Sequence, residues 1–313
     1  MYRKYIEDLK KWLNNPRRKP LMIWGARQTG KSYLVEELFA KQFFANKYVY
    51  IDCRTERDIV HYCSEHINAT EVLNYISLKK NINIDKNVLL IFDEAQECLP
   101  IITLMKYFCQ DYREIPIIVT GSMVRIKIKR YNNKRGPKIE EGFLFPVGKI
   151  DELYIYPMNF EEYLINRNKV LYTYLVDAYH KKTAISSEMH ELSLSVFYEY
   201  LLIGGMPEAV DIFLETGSYQ LSREVLKTLY NNYLSDMDLY QASSESIIRS
   251  RKIYEEIFSQ LNKESKNFSP SLIGKGLKSR DLLSPIDWLT TSFNVEKSFL
   301  VNEIVRCPLV SSN

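Results

Sequence analysis

The sequence lacks the features that mark membrane, secreted and strongly charged proteins. Its longest apolar runs, 88–92 and 115–119, are far shorter than the roughly 20 apolar residues that a membrane-spanning helix needs. Residues 1–8 mix charges of both signs and contain no apolar core of a signal peptide. The net charge of +3 provides no overall attraction to nucleic acid, so only local clusters of charge can bind it.

Cysteine and histidine are scarce, and neither forms a metal-binding pattern. The five cysteines contain no C-x-x-C pair, and the four histidines show no ligand spacing with them. An odd, scattered set of cysteines indicates reduced, buried thiols, so we expect a cytoplasmic protein without a structural zinc site. The 313 residues are enough for two or three domains with sizeable cores.

What is present is a glycine-rich loop between a short apolar stretch and a helical pattern. Residues 25–32 read GARQTGKS and fit G-x-x-x-x-G-K-[ST], the phosphate-binding loop of nucleoside triphosphatases. Residues 21–24 before it predict a buried parallel strand, and 33–39 after it have leucines at helical spacing. In this context backbone N–H groups cradle phosphates, Lys31 contacts the β- and γ-phosphates, and Ser32 ligates Mg²⁺. The predicted nucleotide-binding residues are Gly25, Ala26, Arg27, Gln28, Thr29, Gly30, Lys31, Ser32 and Tyr33.

A second nucleotide-site signature lies further along the chain. Residues 88–92 are all apolar and run directly into Asp93 and Glu94. An all-apolar run is typical of a central parallel strand, and open α/β sheets bind ligands at the C-terminal ends of such strands. Asp93 is therefore predicted to hold Mg²⁺, directly or through water, and Glu94 to polarise the attacking water. The alternative is that both are ordinary charges at the start of the next helix.

The next predicted strand, 115–119, runs into residues with hydroxyl groups. In nucleoside triphosphatases with an additional strand, a polar residue at this place senses the γ-phosphate and orients the water. Thr120 or Ser122 can take this role, and Ser122 joins Lys31 and Glu94 as a predicted catalytic residue. A plain turn at the end of the strand is the alternative.

A run without acidic residues follows at 123–139. Its basic residues are Arg125, Lys127, Lys129, Arg130, Lys134, Arg135 and Lys138. Apolar residues alternate with the first of these, which predicts a strand or hairpin with one basic face. The segment 125–138 can grip the phosphates of a nucleic acid or of a neighbouring subunit's nucleotide, or it is a solvated loop that serves neither purpose.

The rest of the chain is dominated by helical patterns. Asn159, followed three residues later by Glu162, predicts a helix N-terminus with a capping box. Near the C-terminus, three helical patterns precede two apolar stretches, which together predict a winged helix. The helical patterns lie near 248–261, 269–274 and 280–289, and the apolar stretches are 299–301 and 304–305.

Several of these stretches occur together, in the same order, in one known family. They are WGARQTGKS at 24–32, FDEAQE at 92–97, TGS at 120–122, FPVGK at 145–149, YPMNFEE at 156–162 and GGMPE at 204–208. On these residues the chain resembles the prokaryotic AAA-type P-loop ATPases, in particular the archaeal-type AAA-like predicted ATP-binding proteins. The GARQ and YPMNF stretches are the most particular to that group, and the resemblance spans nearly the whole chain.

The resemblance implies ATP and Mg²⁺ as cofactors and a winged-helix segment at 250–305. Members typically continue into a C-terminal domain that resembles a restriction endonuclease fold, and we expect this chain to end where that domain would begin. Relatives often have Arg at the position of Lys149, and that Arg is a candidate arginine finger that contacts the ATP of a neighbouring subunit. Lysine lacks the planar fork of arginine, so the identity of the finger stays open.

We predict an α/β fold with three parts. These are an AAA-type, additional-strand P-loop core with a parallel sheet at 1–165, a helical region at 166–240 and a winged-helix-like domain at 241–313. The predicted function is slow, Mg²⁺-dependent ATP hydrolysis that switches the attached domains or a partner. We expect ATP and ADP as ligands, no membrane contact and a homo-oligomer as a candidate assembly.

Two alternatives belong to other classes of function. One is a module that binds ATP, hydrolyses little of it and contacts DNA or protein through the winged helix or the basic run. The other is a GTPase or a small-molecule kinase, but the guanine signature Asn-Lys-x-Asp does not occur in the sequence.

Overall fold

A computed structural model of the chain describes residues 1–133, 145–241, 243–265 and 267–298. The chain divides into two compact units, the first unit Met1–Asn232 and the second unit Tyr233–Asn313. The domain boundaries predicted at 165 and 240 remain predictions.

The first unit is built on a five-stranded parallel sheet with the strand order β2-β3-β4-β1-β5. Its strands are β1 (Leu21–Trp24), β2 (Tyr48–Asp52), β3 (Leu89–Asp93), β4 (Ile117–Thr120) and β5 (Asp151–Tyr154). β4 lies between β1, which leads into the phosphate loop, and β3, which ends at Asp93. This inserted strand is the additional strand of the predicted architecture, and the predicted P-loop fold class is confirmed.

The burial of each strand follows from its sequence. Every residue of β1, β3 and β4 is buried, as expected for apolar strands in the middle of a sheet that is covered on both faces. β2 lies at an edge and buries only alternate residues, Val49 and Ile51. Because a central strand has no face toward solvent, its polar residue comes at the end, where Asp93 stands.

Two helical segments pack together against this sheet. One is α1 (Tyr5–Asn14); the other runs through α2 (Lys31–Tyr33), a π-helical stretch (Leu34–Ala40) and α3 (Lys41–Phe43). Phe39 is fully buried in the shared core, so its replacement by alanine should destabilise the fold by about 3–5 kcal/mol. This core fixes the helix that follows the phosphate loop.

Nine further α-helices belong wholly or partly to the first unit, among the residues that the structure describes. They are α4 (Arg57–Glu65), α5 (Ala69–Lys80), α6 (Leu99–Asp111), α7 (Val124–Asn133), α8 (Phe160–Arg167), α9 (Lys169–Lys181), α10 (Ser187–Ile203), α11 (Pro207–Thr216) and α12 (Tyr219–Tyr240). The predicted capping box at α8 is confirmed. Asn159 Oδ1 accepts from the backbone N–H of Glu162 at 2.9 Å, and Glu162 Oε2 accepts from the N–H of Asn159 at 3.1 Å.

The prediction of a strand or hairpin in the basic run is wrong, because α7 covers its first part. Met123 and Ile126 are both buried, and their spacing of three residues is also helical, so a short alternation did not distinguish the two structures. Lysine and arginine are moreover good helix formers. The remainder of the basic run, 134–138, lies outside the described residues.

The second unit is helical where the structure describes it. α13 (Ser244–Leu261), α14 (Pro270–Ile273) and α15 (Leu283–Thr291) correspond to the three predicted helical patterns. They enclose a small core that contains Met237, Ile253, Ile273, Leu282 and Leu289. The stretches predicted as a wing, 299–301 and 304–305, lie outside the described residues, so the winged helix stays a prediction. In neither unit is a described helix both long and apolar enough to cross a membrane.

Candidate functional site

The C-terminal ends of the strands open onto a cavity of about 400 Å³. Predicted residues in its lining are Arg27, Gln28, Gly30, Lys31, Ser32, Tyr33, Asp93, Glu94 and Ser122. Arg54 and Asn232 also line it, and neither was predicted. The structure therefore brings together residues at the C-terminal ends of β1, β2, β3 and β4, where a parallel sheet binds its ligands. Gly25, Ala26 and Thr29 are buried behind this surface.

The backbone of the phosphate loop depends on its two glycines. A Cβ atom at Gly25 would lie 2.3 Å from the carbonyl oxygen of Ile155, so a larger residue does not fit there. Gly30 has φ 82°, in the left-handed region that glycine adopts without steric cost. Between them, the buried hydroxyl of Thr29 donates to the carbonyl oxygen of Ala26 at 3.0 Å and closes the turn. In this conformation the Thr29 side chain supports the loop from within.

Lys31 is folded against its own loop. Its Nζ donates to the carbonyl oxygen of Ala26 at 2.6 Å and to that of Gly25 at 3.1 Å. Burial lowers the pKa of Lys31 to about 8, against the opposing effect of the nearby Glu94 and Asp93 carboxylates. A phosphate oxygen is a stronger acceptor for an ammonium group than a neutral carbonyl, so an incoming phosphate can replace these contacts.

Ser32 and Asp93 meet at the position predicted for a metal ion. Asp93 Oδ2 accepts a hydrogen bond from Ser32 Oγ at 2.5 Å and another from the hydroxyl of Tyr50 at 2.5 Å. Burial and the Asp93 carboxylate raise the pKa of Tyr50, which keeps its phenol a donor. A hydroxyl beside a carboxylate supplies oxygen ligands of the kind that Mg²⁺ prefers.

The donor set also fits the number of ligands that Mg²⁺ requires. The described residues contain no group of three or more His, Cys, Asp or Glu side chains able to hold a metal ion. At nucleotide sites, however, Mg²⁺ takes one or two protein ligands and completes its shell with water and phosphate oxygens. Ser32 and Asp93 are sufficient for that arrangement.

Glu94 has a backbone conformation that is uncommon for a residue with a side chain. Its φ is 53°, and its N–H donates to Asp93 Oδ1 at 2.8 Å. The Nε2 group of Gln96 donates to its carboxylate, and Arg54 Nη1 lies 3.3 Å from Glu94 Oε1. Left-handed non-glycine residues cost about 1–3 kcal/mol and cluster at functional sites, where the surrounding structure holds them in place. The conformation places Glu94 at the cavity wall with its carboxylate engaged.

Sequence analysis missed Tyr50, Arg54 and Gln96 as contacts of the two carboxylates. Arg54 follows β2, which pairs with β3 in parallel, so its chain position leads to the same edge of the sheet as Glu94. Arg54 is anchored by Asp52, whose Oδ2 lies 2.9 Å from its Nη2. Applying the parallel-strand argument to β2 as well as β3 would have found it.

The two hydroxyl candidates after β4 differ in position. Ser122 lines the cavity, whereas Thr120 is fully buried, and its Oγ1 has no hydrogen-bond partner in the described structure. Gly121 lies between them, and a Cβ there would come within 2.3 Å of Gln96 Oε1. The geometry favours Ser122 over Thr120. Lys149 is absent from the lining of its own chain's cavity, and its role toward a neighbour remains a prediction.

The first basic residues of α7 make contacts within the first unit. Lys127 Nζ lies 3.2 Å from Glu97 Oε1, and the guanidinium of Arg125 lies 5.7 Å from the centre of the Trp24 ring. These contacts tie the start of α7 to segments beside the cavity. Part of the positive charge of the run is therefore already compensated.

Comparisons with known proteins agree with this geometry. Residues 17–164 match a family model described as an AAA domain, and residues 194–309 match a domain of unknown function, DUF8612. No curated protein matches the chain.

Among solved structures, the Walker-type ATPase PABY2304 of Pyrococcus abyssi is similar over 92% of this chain and 88% of its own, with 16% identity and a TM-score of 0.52. AMPPCP-bound DnaA from Aquifex aeolicus covers 92% of this chain and 87% of its own, at 14% identity and a TM-score of 0.34. The first likeness shows a common fold, and the second is too weak to argue from. The AAA-domain match at 17–164 and the additional-strand sheet support the resemblance of this chain to the prokaryotic AAA-type P-loop ATPases.

Proposed function

We propose that the protein binds ATP together with Mg²⁺ and hydrolyses it slowly, and that the bound nucleotide switches the attached helical regions or a partner. The single observation that carries the proposal is the cavity in which Lys31, Ser32, Asp93 and Glu94 converge. These four groups are the point charge, hydroxyl, carboxylate and base that phosphoryl transfer to water uses. The AAA domain supports the same activity.

Binding begins with exchange of the contacts that the loop makes with itself. Lys31 Nζ leaves the carbonyl oxygens of Gly25 and Ala26 and donates to the β- and γ-phosphates. Ser32 Oγ and Asp93 Oδ2, which are 2.5 Å apart, are the two protein groups that would hold Mg²⁺. When bound, Mg²⁺ neutralises charge on the phosphate oxygens.

Hydrolysis then requires a free Glu94 carboxylate. Glu94 accepts a hydrogen bond from a water molecule, whose oxygen forms a bond to the γ-phosphorus as the bond to the bridging oxygen of ADP breaks. The water proton passes to Glu94 and from there to the released phosphate. Ser122, which also lines the cavity, orients the γ-phosphate or the water.

We propose slow turnover because the Glu94 carboxylate is already bound by other side chains. Arg54 and Gln96 both hold its carboxylate, and that contact has to be released before Glu94 can polarise water. A site whose base is never released would bind ATP and hydrolyse little of it, which is the alternative function. Both functions use the same cavity, and release of Glu94 decides whether bound ATP is hydrolysed there.

The test is phosphate release by the full chain from ATP and from GTP, with Mg²⁺ or with EDTA. We expect turnover of ATP that EDTA abolishes. A Ser32→Ala variant should need more Mg²⁺ for half-maximal turnover, whereas Ser64→Ala, which loses a hydroxyl bonded to the Val60 carbonyl oxygen, should not. Tight ATP binding without phosphate release would support the binding module instead, and turnover unaffected by EDTA would contradict the metal role.

A further inference from the structure

A buried arginine that does not line the cavity contacts the phosphate loop. Arg3 is only 1% exposed, and it donates three hydrogen bonds to three segments of the chain. Nη1 donates to the carbonyl oxygen of Thr29 at 2.6 Å, Nη2 to that of Tyr156 at 2.7 Å, and Nε to Glu162 Oε1 at 2.9 Å. We refer to Arg3, Thr29, Tyr156 and Glu162 as the Arg3 network. Nothing in the sequence pattern around residue 3 indicated it.

The Arg3 network extends to the N-terminus of α8. Glu162 is fully buried, and its Oε1 also accepts from the backbone N–H of Lys4 at 3.0 Å. Its Oε2 accepts from the N–H of Asn159, as half of the capping box. Glu162 therefore both compensates the charge of Arg3 and caps α8. A movement of the Arg3 guanidinium has to be accommodated by the carboxylate that caps this helix.

The contact with Thr29 sets the orientation of a phosphate-binding peptide. In a planar trans peptide, the carbonyl of Thr29 and the N–H of Gly30 point in opposite directions. Because Arg3 holds the carbonyl, the N–H of Gly30 points away from Arg3, and Gly30 lines the cavity. Backbone N–H groups of such loops are the donors that cradle phosphates. Arg3 thus holds one of these donors in the orientation that binding requires.

A second contact places the helical region against the same peptide. A Cβ at Gly30 would lie 3.1 Å from Arg3 Nη1 and 3.5 Å from Cγ of Pro207, the first residue of α11. The N–H of Met158 donates to the carbonyl oxygen of Gly205 at 2.6 Å, which joins the segment before α8 to the turn before α11. Arg3 and Pro207 therefore both lie next to the Thr29–Gly30 peptide.

We propose that Arg3 is a positioning residue of the nucleotide site and that the Arg3–Glu162 ion pair couples the phosphate loop to α8. The proposal rests on the proposed function, since it assigns a role in ATP binding. A phosphate bound at the Gly30 N–H would restrain the Thr29–Gly30 peptide. Arg3 and Glu162 would carry that restraint to the cap of α8.

The test is the affinity of Arg3→Lys for ATP, measured by calorimetry. Lysine keeps the charge but lacks the fork that reaches three acceptors, so the Thr29 peptide loses its fixed orientation. We expect the Kd for ATP to rise about tenfold, the effect of one charge-assisted hydrogen bond. The kcat should change by less than about threefold, because Asp93 and Glu94 do not belong to the Arg3 network.

The matched control is Arg167→Lys. It makes the same substitution on α8, where Arg167 Nε donates to Glu199 Oε1 at 2.7 Å without contact to the phosphate loop. The control should leave the Kd for ATP unchanged. An Arg3→Lys protein that is folded and binds ATP as the control does would overturn this proposal alone. Absence of ATP binding by the unaltered protein would overturn both this proposal and the proposed function.

Amide hydrogen exchange of the unaltered protein gives a measurement that does not depend on the folding of any variant. ATP should slow exchange in 160–167, which lies outside the cavity lining, as well as in the phosphate loop. The slowing at 160–167 should be lost in Arg3→Lys and kept in Arg167→Lys. Slowing confined to the phosphate loop in the unaltered protein would overturn the coupling.

Discussion

The two sides of the phosphate loop are built in different ways. The cavity side consists of Lys31, Ser32, Asp93, Glu94 and Arg54, whose polar groups contact one another or the loop's own carbonyl oxygens. The other side is the Arg3 network, in which the side chains of Arg3 and Glu162 are 2% and 0% exposed. In the Arg54–Glu94 pair, by contrast, the corresponding exposures are 56% and 22%.

This difference separates exchangeable contacts from fixed ones. Contacts at the cavity can be replaced by phosphate, metal or water at little cost, because solvent and ligand offer equivalent partners. A charge in the Arg3 network has no such substitute, since removing one partner leaves the other buried and uncompensated. We therefore expect variants of the cavity side to change binding and turnover, and variants of the Arg3 network to change stability as well.

The largest effect is expected for Lys31→Ala, which should abolish measurable ATP binding. The variant removes the positive charge next to the β- and γ-phosphates while removing a buried charge whose pKa is lowered by burial. Stability should therefore fall little. Calorimetric titration and thermal unfolding measure the two quantities. Lys41→Ala, which loses only an exposed pair with Glu37, is the control, and ATP binding by Lys31→Ala at the control's affinity would refute the phosphate-loop assignment.

Glu94→Gln should bind ATP and lose turnover by a factor of about 10²–10⁴, the contribution of a general base. The amide keeps the shape of the side chain and removes its basicity. Glu97→Gln makes the same change three residues later, where Glu97 pairs with Lys127, and should retain activity. Phosphate release by Glu94→Gln within about threefold of the unaltered protein would show that another group positions the water.

On the other side of the loop, Glu162→Ala should lower the free energy of unfolding by about 3–5 kcal/mol, because it leaves Arg3 buried without its partner. Urea denaturation gives the value. The neighbouring Glu161→Ala removes an exposed carboxylate that bonds the Tyr172 hydroxyl, and its effect should stay within about 0.5 kcal/mol. If both variants lowered the free energy of unfolding equally, the Arg3 network would not be the fixed side of the phosphate loop.

Arg54→Ala should raise turnover by up to about fivefold, since an exposed ion pair is worth up to about 1 kcal/mol and its loss removes one of the two groups that hold Glu94. Steady-state phosphate release under saturating ATP is the measurement, with Arg57→Ala on α4 as control. A tenfold fall in turnover would indicate instead that Arg54 contacts the phosphates, and would place it among the binding groups.

The smallest effect concerns α7, beside the cavity. The hypothesis that 125–138 grips nucleic-acid phosphates remains a prediction, and Lys127 is already paired with Glu97. Neutralising Lys127, Lys129 and Arg130 together should flatten the log–log salt dependence of DNA binding by about two units rather than three. A gel-shift salt series measures the slope. No DNA binding at low salt, combined with reduced ATPase activity and assembly, would favour contact with a neighbouring subunit.

Much of the cavity could be predicted because its signals are local. Three patterns are explained by residues close together in the sequence. The GARQTGKS loop forms a turn, the apolar run into Asp93 forms a buried strand, and the Asn159–Glu162 spacing forms a helix cap. The same local approach failed at α7, where three alternating apolar residues fit a strand and a helix equally well. It also gave Glu162 only the role of a cap, because its second partner is far away in the sequence.

By itself, the sequence determined the α/β core, the phosphate loop and the carboxylates that accompany it, since strand burial and glycine geometry depend on neighbouring residues. Only the tertiary structure decided which hydroxyl after β4 reaches the cavity, that Arg54 holds Glu94, and that Arg3 lies behind Thr29. These facts depend on strand order and on contacts between residues more than twenty positions apart, such as Arg3 and Thr29, which are 26 apart. No periodicity or spacing in the sequence predicts such pairs, because the two residues contact each other only after the sheet has formed.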